Sequence, residues 1–214
     1  MVNVRDLFVV RPLAMALRWF EGDPELSRRI QLLTLAPRGV VETAIPERLQ
    51  IFVNPAQIVG VAHGLKRERF VVHGDWDIRR VTPIEQTLQW QVMSQTWHYG
   101  TNWRSSEIYG DLRLRFDAGY RGGRDNPFYS YSCIDAYFET RLELLRSCAK
   151  AGIWKDPEKP LRVAIGRSGD LYKTHDGMHR LCAALVTGCD LVPARVVNVH
   201  SEYAESFLKH LDAQ

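Results

Sequence analysis

The sequence predicts an α+β fold: a small mixed β-sheet core, with helices before it and a helical insertion within it. Three observations carry this. Residues 161–200 change from a period-2 to a helical apolar pattern and back, short β-type runs fill 45–82, and a mostly helical pattern over 83–151 separates the two. At 214 residues, with 45% hydrophobic content, the chain suits one domain of ordinary size or a core plus an insertion.

Taken in order, residues 1–44 read as an N-terminal helical cover, broken at Gly22-Asp23-Pro24 and again at Pro37-Arg38-Gly39. Residues 45–82 carry strand-like runs at 49–53, 59–62 and 70–73, which need partners from later in the chain. Over 83–151, Pro83 and Glu85 mark a helix start and 134–151 form a long amphipathic segment. Residues 152–214 complete the core. There Leu161, Val163 and Ile165 alternate with Arg162, Ala164 and Gly166, as in a half-buried strand, and Ser168-Gly169 supplies a hairpin turn. Met178, Leu181, Cys182, Leu185 and Val186 fall on one helical stripe that Gly188 ends, and Pro193 opens a final valine-rich strand.

Chemistry concentrates at the start of that last helix, in Asp176-Gly177-Met178-His179-Arg180. The first N–H groups of a helix lack internal partners and carry partial positive charge, so the spot attracts phosphate or carboxylate. Gly177 lets a ligand approach, and the Arg180 guanidinium offers a planar fork for two phosphate oxygens. The structural alternative makes Asp176 an N-cap, Gly177 a turn residue and Arg180 a surface charge. An aspartate on the same N–H groups as a phosphate would repel it, so Asp176 reads as a base or a magnesium contact. His73-Gly74-Asp75-Trp76-Asp77 is a second constellation at a strand end. If its strand shares the sheet, Asp75 or Asp77 could accept a hydroxyl proton or hold magnesium, with Glu85 a farther candidate. Otherwise it is a turn with solvated acids and a packed tryptophan.

Gly177, His179 and Arg180, followed by Ala183-Ala184, Gly188, Val192-Pro193 and a valine strand, resemble the nucleotide-binding core of the ParB/sulfiredoxin superfamily. The stretch 49–58, with Asn54-Pro55, is similar to the strand, Asn-Pro and short helix that open many of these domains. The superfamily includes ParB, sulfiredoxin and small-molecule kinases such as ADP-dependent free serine kinase. His179 stands where ParB has the first arginine of its Gly-Glu-Arg-Arg box, and no helix-turn-helix region follows. Met178 stands where sulfiredoxin has its cysteine. The resemblance therefore implies a kinase-like or nucleotide-hydrolysing member. Gly177, Met178, His179 and Arg180 would hold the phosphates of ATP, ADP or another nucleotide, and Asp176 would contact Mg2+. Asp75, Asp77, Asp176 and His179 are the candidate catalytic residues, acting on a small hydroxylated acceptor. The alternative is a nucleotide-dependent ParB-like switch that contacts DNA or a protein without turnover.

Other patterns carry less. The 28 basic and 25 acidic side chains leave a net charge of +3, too small to favour tight nonspecific nucleic-acid binding, although Arg121 and Arg124 beside Gly122-Gly123 could touch phosphate. Trp97, His98, Tyr99, Asn102 and Trp103 could form a stacking wall or belong to the core. His175 and His179 have the spacing of a zinc pair, but Gly177 between them argues against one ligand face. No Gly-x-Ser-x-Gly elbow is present. Cys133, Cys148, Cys182 and Cys189 lack Cys-x-x-Cys spacing and read as buried or free thiols. With charges scattered through residues 2–20 and no long apolar run, neither a signal peptide nor a membrane span is expected, and a reducing cytoplasm is the default compartment.

Overall fold

The computed structural model describes residues 49–65, 68–123, 126–151, 159–174 and 176–212, together with Leu35, residues 37–39 and Val41. The expected N-terminal cover lies outside the described residues apart from those isolated positions, as do Arg124 and His175. The elements run β1 (Gln50–Val53), β2 (Ile58–Ala62), β3 (Val71–Val72), α1 (Trp76–Arg79), β4 (Val81–Thr82), α2 (Leu88–Tyr99) and α3 (Glu107–Asp117). After a short ribbon, β5 (Gly122–Gly123) and β6 (Asn126–Pro127), come α4 (Tyr131–Ala151), β7 (Leu161–Ile165), β8 (Leu171–Lys173), α5 (Met178–Thr187), β9 (Val192–His200) and α6 (Ala204–Asp212).

The fold is α+β, with a mixed seven-stranded sheet in the order β1-β9-β7-β8-β2-β4 and β3 paired to the far end of β9. β9 is buried at every position except Arg195, which is half-buried. Its β-branched valines suit a strand covered on both faces. It pairs antiparallel with β1 and parallel with β7 and β3. The early β runs therefore do find late partners. β8 returns antiparallel along β7 through the Gly166–Gly169 turn, where Gly166 N–H donates to Asp170 O at 2.8 Å. β2 then pairs parallel with β8.

Local chemistry sets the boundaries. Asn54 Oδ1 accepts from the Ala56 N–H at 2.9 Å and Pro55 fixes the next φ, which turns the chain between β1 and β2. The helix expected to start near Pro83 begins later. Residues Ile84–Gln86 make a 3-10 turn, and Thr87 then goes extended to cap α2. Its hydroxyl donates to Ile84 O at 2.6 Å and accepts from the Trp90 N–H at 3.2 Å, so it closes one turn and opens the next. Gly188, at φ +70°, ends α5 with its N–H on Ala184 O and Leu185 O.

Leu161, Val163 and Ile165 project into the main core with Leu181, Cys182 and Leu145. β7 is covered on its other face too, since Ala164 packs with Trp76 and Tyr172, so period-2 alternation understates its burial. A second cluster lies among α2, α3 and α4, where Trp103 stacks on Phe138 at 5.3 Å and 17°. One stripe of α4 joins the two: Ile134, Phe138 and Leu142 belong to the second cluster, Leu145 and Cys148 to the main one. Truncating a ring such as Phe138 to alanine costs about 3–5 kcal/mol in a closed core. The four cysteines are unbridged, and all but Cys133 are buried. Among the described residues no helix is long and apolar enough to cross a membrane.

Candidate anion-binding site

β8 ends beside the start of β7, and the chain then turns through Thr174, Asp176 and Gly177 into α5. Gly177 lies at φ +96°, a left-handed conformation that a Cβ would strain. A Cβ there would also come within 2.9 Å of Arg180 Nη2. The space that the glycine leaves is therefore taken by the guanidinium of Arg180, rather than by a ligand alone. Arg180 Nη1 in turn donates to the Lys159 carbonyl.

A cleft of 230 Å³ opens here, lined by Lys159, Pro160, Arg162, Asp176, Arg180 and Arg195. Among the described residues its lining holds four cationic side chains and one carboxylate. Register explains two of them: Arg162 and Arg195 are direct partners across the parallel β7–β9 ladder. Arg195 Nε is buried without a hydrogen-bond partner among the described residues. Asp176 is largely exposed and lies 3.9 Å from Arg162 Nη1, a long and weakly held ion pair.

Lys173, almost wholly buried under the loop, donates to the carbonyls of Thr174, of Asp176 at 2.6 Å and of Arg162 at 3.4 Å. Burial, assisted by the nearby positive charge of Arg180, pushes its pKa down to about 7. The two effects oppose each other, since only the ammonium has three N–H groups for three carbonyls. The geometry ties the backbone of the turn to the floor of the cleft either way.

His179 is not part of the lining. Its Nε2 lies 2.7 Å from the Tyr137 hydroxyl on α4, and burial, with Arg141 adding to it, pushes its pKa down to about 4. It is a neutral contact between α4 and α5. Met178 packs its side chain against the main core, leaving only its backbone at the helix start.

Asp75 and Asp77 are not brought to this cleft. They flank the far end of the sheet, where β3 pairs with Val199 and His200, whereas Arg162 and Arg195 are at the near end of the same strands. Gly166, just past the end of β7, lies four positions on from Arg162, about 13 Å at 3.3 Å per residue. Asp77 is buried and gripped by Arg167, whose backbone N–H donates at 2.8 Å and whose Nη2 donates at 3.0 Å. Burial alone would raise the Asp77 carboxyl, but the Arg167 hydrogen bonds outweigh it and hold it below the usual carboxylate range. Arg167 Nη2 also reaches Asp75 at 3.0 Å. His200 Nδ1 accepts from the Glu202 N–H at 3.1 Å, so its Nε2 carries the proton donated to Gly74 O at 2.7 Å. These acids are occupied as structure.

The aromatic set also separates. Trp103 is core, with Arg104 stacked 4.1 Å over its ring, while Trp97 and Tyr99 are partly exposed on α2. Among the described residues no three His, Cys, Asp or Glu side chains converge as a metal cage. Magnesium is commonly held by one or two carboxylates together with substrate phosphates, and Asp176 is the carboxylate among the described lining residues of this cleft. Sequence reasoning found Asp176 and Arg180 but missed Lys159, Arg162, Lys173 and Arg195. Only the alternation of arginines with apolar residues in β7 and β9 hinted at the last group. No protein-family model, no curated protein and no solved structure matches this chain.

Proposed function

We propose that the chain is a nucleotide-binding protein of ParB/sulfiredoxin-like type, a Mg-dependent phosphotransferase that holds nucleotide phosphates in the Arg162–Arg180–Arg195 cleft. The observation that supports this is the gathering of three guanidinium groups, Lys159 and Asp176 in one cleft beside the N-terminus of a ten-residue helix. At 230 Å³ the cleft accommodates phosphate groups, with base and sugar lying outside it. Arg162, Arg180 and Arg195 would orient the phosphates and neutralise charge that builds during transfer. Asp176 would take the proton of a small hydroxylated acceptor, and would contact magnesium, which when bound supplies further charge neutralisation. Gly177 and the backbone of Met178 complete the cradle.

A second reading has its own support. Asp75 and Asp77 are engaged by Arg167 away from the cleft, which leaves Asp176 as the single carboxylate among its described lining residues. A nucleotide-dependent switch that contacts DNA or a protein partner needs no further acid. Calorimetric titration with ATP, ADP, CTP and GTP, with and without magnesium, tests the shared premise. We expect binding that weakens roughly tenfold or more in Arg180→Ala and in Arg195→Ala, as loss of a charged hydrogen bond entails. Full affinity in both variants would defeat the proposal, and transfer to an acceptor separates enzyme from switch.

A further inference from the structure

A second, larger cleft of 540 Å³ lies between β3, α1 and the turn at Gly64. Arg69, Arg79 and Arg80 line it, with His73 and Asp75. Asp75, the lining carboxylate, is already held by Arg79 Nε at 3.5 Å and by Arg167 Nη2 at 3.0 Å. Arg69 and Arg80 have no carboxylate partner among the described residues. The Arg80 guanidinium lies over Gly64, where a Cβ would come within 3.0 Å of Nη1, so the glycine makes room for the charge.

A different kind of observation falls in the same place. Trp76 lines this cleft and is 5% exposed, yet its indole Nε1 has no hydrogen-bond partner among the described residues. A buried donor left unsatisfied is unfavourable. A ligand that fills the cleft would change the surroundings of this indole.

We infer that this cleft is a second anion site, one that takes the phosphate group of a small organic phosphate on Arg69, Arg79 and Arg80. The charge fits a dianion, because Asp75 cancels one of the three arginines and two positive charges remain. Phosphate oxygens can engage more than one guanidinium fork at once. The volume is that of a small-molecule site, with Leu65 and Val71 as an apolar wall for the organic part. The site is separate from the nucleotide cleft, because β3 meets β9 at its His200 end and Arg195 lies towards the other.

The test follows the Trp76 indole N–H by NMR, assigned through its absence in Trp76→Phe, during titration with phenyl phosphate. The expected result is a saturating shift in the wild type and in Arg162→Ala/Arg195→Ala, with no response to phenol. Affinity should fall roughly tenfold or more in Arg69→Gln/Arg80→Gln, which keeps side-chain bulk and whose remaining amide spectrum reports an intact fold. The inference is overturned by a shift that never saturates, by full affinity in the double glutamine variant or in Arg79→Gln as well, or by equal binding of phenol. Displacement of phenyl phosphate by a short single-stranded oligonucleotide at lower concentration would overturn the small-ligand class.

Discussion

The two ends of the β7–β9 pair use the same side-chain types to opposite effect. At the far end Arg167 is met by Asp77 and Asp75, with Glu202 3.7 Å from its Nη1, and the buried carboxylate accepts from both its backbone and its guanidinium. At the near end Arg162, Arg180 and Arg195 line one cleft, where the exposed Asp176 lies 3.9 Å from Arg162. Charge that is locally balanced and buried fixes a turn in place. Positive charge gathered at a surface cleft attracts an anion from solution. Composition is blind to the difference, because a net charge of +3 averages over both ends.

The largest break in this comparison comes from Arg167→Ala, which strands Asp77 as an unpaired buried charge. A loss of about 3–5 kcal/mol is expected in urea unfolding, with phosphate binding at the near end unchanged. Acid sharpens the same point. Asp77 titrates below its unfolded value of about 3.9, so the stability it contributes is present above that pH and fades as pH falls through the lower folded value. An intermediate effect is expected at Lys173. The unfolded lysine binds its proton up to about pH 10.4, while the folded one releases it near 7. In that window the unfolded state binds more protons, so stability should rise with pH in the wild type relative to Lys173→Met, by at most about 1.4 kcal/mol per pH unit. Parallel slopes in denaturation series from pH 7 to 10 would contradict this. The smallest change is expected from Asp75→Asn, whose side chain is half exposed: roughly 1 kcal/mol or less, against the much larger loss at its neighbour's partner.

Much of the fold could be read from the chain because its signals were local. The stripe from Met178 to Val186 and the glycine at 188 correspond to α5, and Leu161, Val163 and Ile165 to β7. The Asn54-Pro55 pair marked a turn through chemistry contained in four residues. Thr87 escaped because a hydroxyl that closes one turn and caps the next resembles any threonine in sequence. The site was legible only in part for the same reason. Asp176 and Arg180 adjoin a visible helix start, whereas Arg162 and Arg195 meet through a strand register that no local pattern specifies. His179 looked catalytic by its place in the first turn, but its direction is set by Tyr137, 42 residues earlier.

That register has a price in the empty protein. Like charges set directly opposite in neighbouring strands repel, and Arg162 against Arg195 is such a pair at the heart of the sheet. An anion shared between them would turn repulsion into a bridge, so the choice of buffer becomes a structural variable. Phosphate or sulfate should raise the melting temperature beyond what chloride of equal ionic strength achieves.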